Sequence, residues 1–181
     1  NRMDFLYTDS QNPFRLTRVL DTMGRPIDYG YYPASDSVVG RQGKLKTVTD
    51  FAGRQVLYDY DADGHLISAR SPIVTGTSNG NDFPDGKVEK YEYYTGTSNP
   101  KIDHKLHRII QANENESRAG FGSSTGVPLN SPTFEYTYDT EGRVESQRWG
   151  GTGQDISYQY KAVFLAGSLG RHAVHHDRPR G

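Results

Sequence analysis

One stretch, QVLYDYDADGHLIS at residues 55 to 68, constrains the fold most strongly, because the chain repeats its pattern. Tyr58 and Tyr60 belong to a segment in which side chains alternate with a period of two residues, as they do on a β-strand with two different faces. Asp61 and Gly64 then occupy the first and fourth positions of a type I turn, where Asp hydrogen-bonds its own backbone and Gly adopts a positive φ. The stretch therefore predicts a β-hairpin.

The pattern of this hairpin recurs along the chain, and its closest copy is FEYTYDTEGRV at residues 134 to 144. Looser copies of the Tyr-x-Tyr strand occur at Tyr29/Tyr31, Tyr91/Tyr93 and Tyr158/Tyr160. A second turn, of the form Asp-x-x-Gly-Arg, joins successive hairpins at residues 21–25 and 50–54. Self-similarity at a period of tens of residues indicates a repeat architecture, in which each unit buries its apolar face against its neighbours.

We expect the strand tyrosines and the residues of the turns to hold the repeats together. These structural residues are Tyr29, Tyr31, Asp50, Gly53, Arg54, Tyr58, Tyr60, Asp61, Gly64, Leu66, Tyr91, Tyr93, Tyr136, Tyr138, Asp139, Gly142, Arg143, Tyr158 and Tyr160. Their regular repetition favours a scaffold role over a ligand site, because cross-strand aromatic pairs stabilise sheets by about 0.2–1 kcal/mol each.

Composition also favours an all-β protein. Only 33% of the residues are hydrophobic, and 20 glycines with 9 prolines make long helices improbable, while 12% aromatic residues argue against simple disorder. The net charge of −1 predicts no general attraction to nucleic acid or to a membrane surface. No apolar run approaches the ~20 residues that a membrane helix needs. The absence of cysteine excludes disulfides and thiol catalysis.

The pattern YDYDxxGxL that begins at Tyr58, preceded by Gly53-Arg54, resembles the tyrosine-aspartate (YD) repeat of Rhs-type proteins. This family includes bacterial polymorphic toxins, shell subunits of insecticidal toxin complexes and animal teneurins. The resemblance extends over residues 5 to 160 and is closest in the two hairpins described above. It implies an all-β fold in which repeated β-hairpins form a long, twisted, curling sheet that is part of a spiral shell.

The resemblance also implies a function, which is structural. The chain would be part of the wall of a hollow β-shell that encloses or presents a toxin or effector polypeptide. Its partners would be the remaining repeats of a longer parent chain and the enclosed polypeptide, with the parent secreted or at the bacterial cell surface. We expect a longer parent because this chain begins with Asn1 and no signal peptide follows. The alternative function is an extracellular module that binds glycans or a receptor through exposed tyrosines and long loops.

We expect the repeats, about five to six hairpin units, to occupy residues 1–164, and residues 165–181 to form a frayed basic tail. The tail contains the one dense set of metal-ligand residue types in the sequence: His172, His175, His176 and Asp177. A metal site needs ligands held in place by their surroundings, so a solvated tail predicts no metal binding.

The sequence contains no convincing catalytic constellation. The pairs Asp59/Asp61 and Asp61/Asp63 suggest the carboxylates of a glycosidase, but Asp61 and Asp139 hold equivalent positions in repeated turns, which turn chemistry explains. No Gly-x-Ser-x-Gly elbow occurs, and the Gly-rich residues 120–122 lack the strand-to-helix context of a phosphate loop. The Asp-Pro dipeptide that marks a self-cleavage site in some family members is also missing. We therefore predict no enzymatic activity and no cofactor.

A second repetition concerns loops rather than strands. The five residues TGTSN occur at 75–79 and again at 95–99. We interpret both copies as solvated connections rather than as a ligand loop, because glycine, serine, threonine and asparagine are the residues that turns prefer.

Overall fold

The computed structural model describes residues 2–116, 130–150, 154–163 and 171–177. Within them the protein is all-β, as the sequence predicts, and twelve strands form one antiparallel sheet. The strands are β1 (Asp4–Leu6), β2 (Arg18–Leu20), β3 (Pro26–Tyr31), β4 (Leu45–Thr49), β5 (Gln55–Tyr60), β6 (Leu66–Arg70), β7 (Val88–Tyr93), β8 (Leu106–Ile110), β9 (Phe134–Tyr138), β10 (Val144–Trp149), β11 (Gln154–Val163) and β12 (Arg171–Asp177).

The sheet is an open meander. Each strand pairs with the strands before and after it in the chain, so the order of strands in the sheet equals their order in the sequence. The outer strands of the described sheet are β1 and β12. None of the described residues belongs to a helix that is long and apolar enough to cross a bilayer.

A β-bulge recurs in four hairpins, in the returning strand at the level of the second tyrosine. The returning strand has one residue more than the tyrosine strand at this point, and the extra residues are Lys46, Ile67, His107 and Glu145. An extra residue in one strand re-aims the side chains that follow it. The bulge therefore interrupts the alternation of these returning strands, while the Tyr-x-Tyr alternation continues unbroken.

Four turns of the form Asp-x-x-Gly share one set of hydrogen bonds; they begin at Asp21, Asp50, Asp61 and Asp139. In each turn the glycine N–H donates to the aspartate carbonyl, at 2.8–3.2 Å. The aspartate N–H in turn donates to the carbonyl of the residue after the glycine. The predicted positive φ is confirmed at Gly64 and Gly142, with values of 87° and 74°. The hairpin turns therefore form as the sequence indicates.

The buried core is small. In the described part of the chain the buried hydrophobic residues are Val19, Tyr32, Phe83, Ile110 and Ala112. Most strand residues are half-buried, as expected for a sheet one layer thick with no second layer packed on it. Two single turns of 3₁₀-helix, Val39–Arg41 and Ala112–Glu114, interrupt the loops.

The end of the chain differs from the predicted tail. Residues 171–177 form strand β12, which pairs with β11 from Ser157↔Asp177 to Val163↔Arg171. An outer strand offers unpaired N–H and C=O groups to any extended segment, so pairing there requires neither a Tyr-x-Tyr pattern nor an Asp-x-x-Gly turn. The remaining residues of the expected tail, 165–170 and 178–181, lie outside the described residues.

The long loops pack onto the short turns along one rim of the sheet. The loop at residues 32–44, between β3 and β4, places Gly40 so close to the turn at 61–65 that a Cβ at Gly40 would overlap the Asp61 carbonyl oxygen. The loop at residues 94–105, between β7 and β8, contacts the turn at 139–143 in a comparable way. There a Cβ at Gly142 would overlap the Lys101 carbonyl oxygen.

Two glycines with the same backbone conformation should therefore respond differently to substitution. Gly53→Ala adds a methyl group in open space at φ 78°, and should lower the free energy of unfolding by about 1–2 kcal/mol through backbone strain alone. Gly142→Ala adds overlap with a backbone carbonyl and should lower the free energy of unfolding by about 1–3 kcal/mol more. Chemical denaturation of both variants measures the difference. Equal losses would contradict the close packing of loop on turn.

Candidate functional site

In four of the five Tyr-x-Tyr strands the second tyrosine makes the same bond to the preceding hairpin, and Tyr60 is the exception. The hydroxyl of each of the four donates a hydrogen bond of 2.7–3.0 Å to a backbone carbonyl near the start of that hairpin's returning strand. The donor and acceptor pairs are Tyr31 with Leu16, Tyr93 with Leu66, Tyr138 with Leu106 and Tyr160 with Val144. The bonds tie four of the hairpins to the preceding hairpin, in addition to the pairing of their strands.

A basic or imidazole side chain covers the ring of each of these tyrosines. It belongs to the residue directly before the carbonyl acceptor, so that one dipeptide supplies both contacts. Arg15 lies 4.5 Å above the Tyr31 ring and Arg143 lies 4.5 Å above the Tyr160 ring. Lys105 lies 5.5 Å above the Tyr138 ring. Cations over aromatic faces at these distances are attracted by the ring quadrupole. Each tyrosine is thus held at its hydroxyl and at its face.

A second set of tyrosines reaches forward, and it occurs in alternate hairpins. Tyr32 donates to the Tyr58 carbonyl at 2.9 Å, and Tyr94 donates to the Tyr136 carbonyl at 3.0 Å. The Tyr32 ring meets the Tyr60 ring edge-on at 6.3 Å, and Tyr94 meets Tyr138 at 5.9 Å, both at 83°. The true repeat is therefore a pair of hairpins, which the sequence analysis treated as single units.

These contacts leave little tyrosine surface free. Of the 13 tyrosines, Tyr7 is exposed, at 53%, and the other twelve are buried or half-buried. Burial raises the pKa of Tyr60 and Tyr138, and burial together with a hydrogen bond to Glu89 raises the pKa of Tyr91 to about 12. The tyrosines Tyr29, Tyr58, Tyr136 and Tyr158 lie on β3, β5, β9 and β11 and are half-buried as well.

The turn carboxylates are occupied by their own backbone. Asp139 accepts hydrogen bonds from the N–H groups of Glu141 and Arg143 and from the Arg143 guanidinium. Burial opposes the ionisation of Asp139, but the bonds from Arg143 prevail and lower its pKa below the ordinary value. Asp21 and Asp50 accept equivalent bonds from Arg25 and Arg54. Both oxygens of these carboxylates are therefore used in holding the turn together.

The two TGTSN loops are also explained by local structure. Asp82 accepts hydrogen bonds from the N–H groups of Gly76 and Thr77, and Asp103 accepts one from the N–H of Thr97. The repeated five residues thus wrap around an aspartate a few positions later in the chain. Their repetition indicates a shared loop conformation.

One turn departs from the common form and brings two histidines together. In the turn at 61–65, His65 occupies the arginine position, and its Nδ1 lies 2.8 Å from an Asp61 carboxylate oxygen. Its Nε2 lies 3.1 Å from Nδ1 of His104, which comes from the 94–105 loop. Asp63 completes a group whose ligand atoms all lie within 4.8 Å of one another. Sequence analysis missed this group, because only the packing of a loop onto an earlier turn brings His104 there.

Two earlier expectations concern residues that the structure does not describe in full. His172, His175, His176 and Asp177 lie on β12, for which the strand pairing is described and the side chains are not. Residues 120–122 lie outside the described residues. No protein-family model matches the chain, and no curated protein matches it.

The hydroxyl bond of Tyr138 can be tested with a matched pair of variants. Tyr138→Phe removes the donor to the Leu106 carbonyl and should lower the free energy of unfolding by about 1 kcal/mol. Tyr60→Phe is the control, because the Tyr60 hydroxyl makes no hydrogen bond with the described residues and its loss should cost less than about 0.5 kcal/mol. Urea denaturation compares the two. Equal losses of unfolding free energy in the two variants would show that the hydroxyl bond of Tyr138 does not stabilise the fold.

The turn aspartates predict how stability depends on pH. The pKa values of Asp21, Asp50, Asp61 and Asp139 are all lowered in the folded protein. A lowered folded-state pKa adds stability above the unfolded value of about 3.9, and that stability is lost as pH falls through the folded value. Asp139→Asn should therefore destabilise the protein at pH 6 and make less difference at pH 3. Thermal denaturation at both values measures this, and a constant difference would contradict it.

Proposed function

We propose that the chain is a structural segment of an Rhs-type tyrosine-aspartate repeat protein, part of the wall of a hollow β-shell that encloses or presents a toxin or effector polypeptide. The observation that carries this proposal is the repeated hydroxyl-to-carbonyl bond between successive hairpins, made by Tyr31, Tyr93, Tyr138 and Tyr160. A ligand site rarely needs the same contact in four of five repeats, whereas a wall built from repeats uses such recurring contacts.

The architecture supports a wall in a second way. A single open sheet with few buried side chains cannot make a closed core by itself, and its stability comes from contacts between neighbouring repeats. The outer strand β1 presents unpaired backbone groups along which further repeats can continue the sheet. On this proposal the partners are other repeats of a parent chain and an enclosed polypeptide, and the parent is secreted or at the cell surface.

Limited proteolysis of the full gene product tests the proposal. A polypeptide segment enclosed by the repeats should resist cleavage while the wall is intact. Tyr138→Ala removes a half-buried ring that joins two hairpins, and should make the enclosed segment cleavable at a protease concentration that leaves the parent intact. Tyr7→Ala, which truncates an exposed ring, is the control and should leave protection unchanged. A full gene product with no protected segment would overturn the proposal.

One observation favours the alternative, a glycan-binding module. Trp149 is 60% exposed, and its ring stacks on Phe134 at 5.8 Å, which forms an accessible aromatic platform of the kind that contacts sugar rings. The same preparation applied to a glycan array distinguishes the two functions. A signal that is lost in Trp149→Ala, with an unchanged melting temperature, would favour glycan binding over the wall.

A further inference from the structure

Two histidines occupy positions where the repeat otherwise uses other residues. In the turns that begin at Asp21, Asp50 and Asp139, the residue after the glycine is an arginine whose Nε donates to the turn aspartate at 2.7 Å. In the turn at 61–65 the residue is His65, which keeps the bond to the aspartate through Nδ1. The arginine guanidinium has no acceptor atom, whereas the second ring nitrogen of histidine can act as a metal ligand.

His104 is the second departure from the repeat. Its N–H donates to the Tyr94 carbonyl at 2.8 Å, and in the equivalent loop Gly43 donates to the Tyr32 carbonyl at 3.1 Å. Both positions have a left-handed backbone, with φ of 72° at Gly43 and 67° at His104. A residue with a Cβ is strained there, and strain of this kind clusters at functional sites. The chain therefore has a side chain at a position where its own repeat uses glycine.

These two departures meet in space. Nε2 of His65 lies 3.1 Å from Nδ1 of His104, and a carboxylate oxygen of Asp63 lies within 4.8 Å of both. Two nitrogens bound to one tetrahedral zinc ion, with bonds of about 2.0–2.1 Å, stand roughly 3.3 Å apart. We propose that Asp63, His65 and His104 bind a divalent transition-metal ion, with Zn²⁺ as the best fit to two imidazoles and one carboxylate.

The surroundings of His65 match those of a metal ligand. With its proton on Nδ1, His65 donates a hydrogen bond to the Asp61 carboxylate, and its Nε2 then carries a free electron pair on the side of His104. A carboxylate behind a histidine fixes the tautomer and raises the basicity of the ligating nitrogen in metal sites. The His65 ring is also held in place by stacking on Tyr93 at 4.5 Å, and its side chain is only 15% exposed.

His104 supplies the adjustable side of the site. Its side chain is exposed, and its ring stacks on that of His65 with 4.9 Å between the centroids and 30° between the planes. A metal binds in the plane of an imidazole, so the exposed His104 ring has to turn to direct its electron pair at an ion that His65 also binds. Binding requires the proton on Nδ1 of His104 to move to its Nε2, which changes the tautomer and leaves the charge of the ring unchanged. Asp63 adds the third ligand, and the fourth position of a tetrahedral ion is open to water.

The repeat itself provides variants that remove the ligands and keep the fold. His65→Arg restores the arginine of the other turns, and His104→Gly restores the glycine of the equivalent loop. Isothermal titration of the full chain with Zn²⁺ should show one site, with affinity reduced at least about tenfold in each variant. Zinc at saturating concentration should raise the melting temperature of the parent and leave that of His104→Gly nearly unchanged.

Two controls separate this site from other imidazoles. His107→Asn removes a histidine that stacks on Tyr94 outside the group, and should keep zinc binding. The triple variant with His172, His175 and His176 replaced by alanine should also keep it. The proposal is overturned if the parent binds no Zn²⁺, if both repeat-restoring variants bind within twofold of the parent, or if the site disappears in the triple variant.

Discussion

The structure depends on the contact between a tyrosine and the dipeptide that receives it. The hydroxyl of Tyr138 bonds to the Leu106 carbonyl while the Lys105 ammonium covers its ring. Strand pairing alone would allow neighbouring hairpins to shift in register or to separate. A sheet of one layer has no second layer packed on it to resist such movement. Where it forms, the tyrosine contact fixes the position of a hairpin relative to the preceding one, and at Tyr31, Tyr93 and Tyr138 a bulge in the returning strand lies opposite the tyrosine.

The sequence predicted the parts of the fold that depend on local chemistry. The Asp-x-x-Gly turns were predictable because aspartate bonds within four residues and glycine tolerates a positive φ, so Gly64 and Gly142 behave as their sequence requires. The strands followed from the alternation of tyrosines. An all-β chain of hairpins could therefore be predicted from composition and spacing, whereas the joining of the hairpins into one long sheet was what the resemblance to tyrosine-aspartate repeats implied.

Contacts between hairpins were the part that the sequence did not disclose. Nothing in the spacing of Tyr32 and Tyr94 indicates that they reach forward to Tyr58 and Tyr136, because the loops that carry them differ in sequence. The histidine pair has the same origin, since His65 and His104 lie on different hairpins. Strand β12 was missed for a related reason, as backbone pairing leaves no signature in side-chain pattern. Each of these features arises from contacts between residues that are far apart in the sequence, and the alternation of residues within a strand carries no information about such contacts.

The overlap of loop on turn gives the assembly a direction. The loop at 32–44 lies over the turn at 61–65, and the loop at 94–105 lies over the turn at 139–143, so each loop is made before the turn that it covers. The loop at 94–105 also contacts the turn at 61–65, which is made earlier, through His104. During translation each loop leaves the ribosome before the turn that it covers. Each new pair of hairpins therefore supplies the turn that the loop of the previous pair contacts. Because all strand pairing is between sequence neighbours, no earlier hairpin has to wait for a distant partner. Such a sheet can fold progressively from its amino-terminal hairpins during synthesis. We expect an internal deletion to stop the addition of hairpins at the missing turn and to leave the preceding hairpins folded.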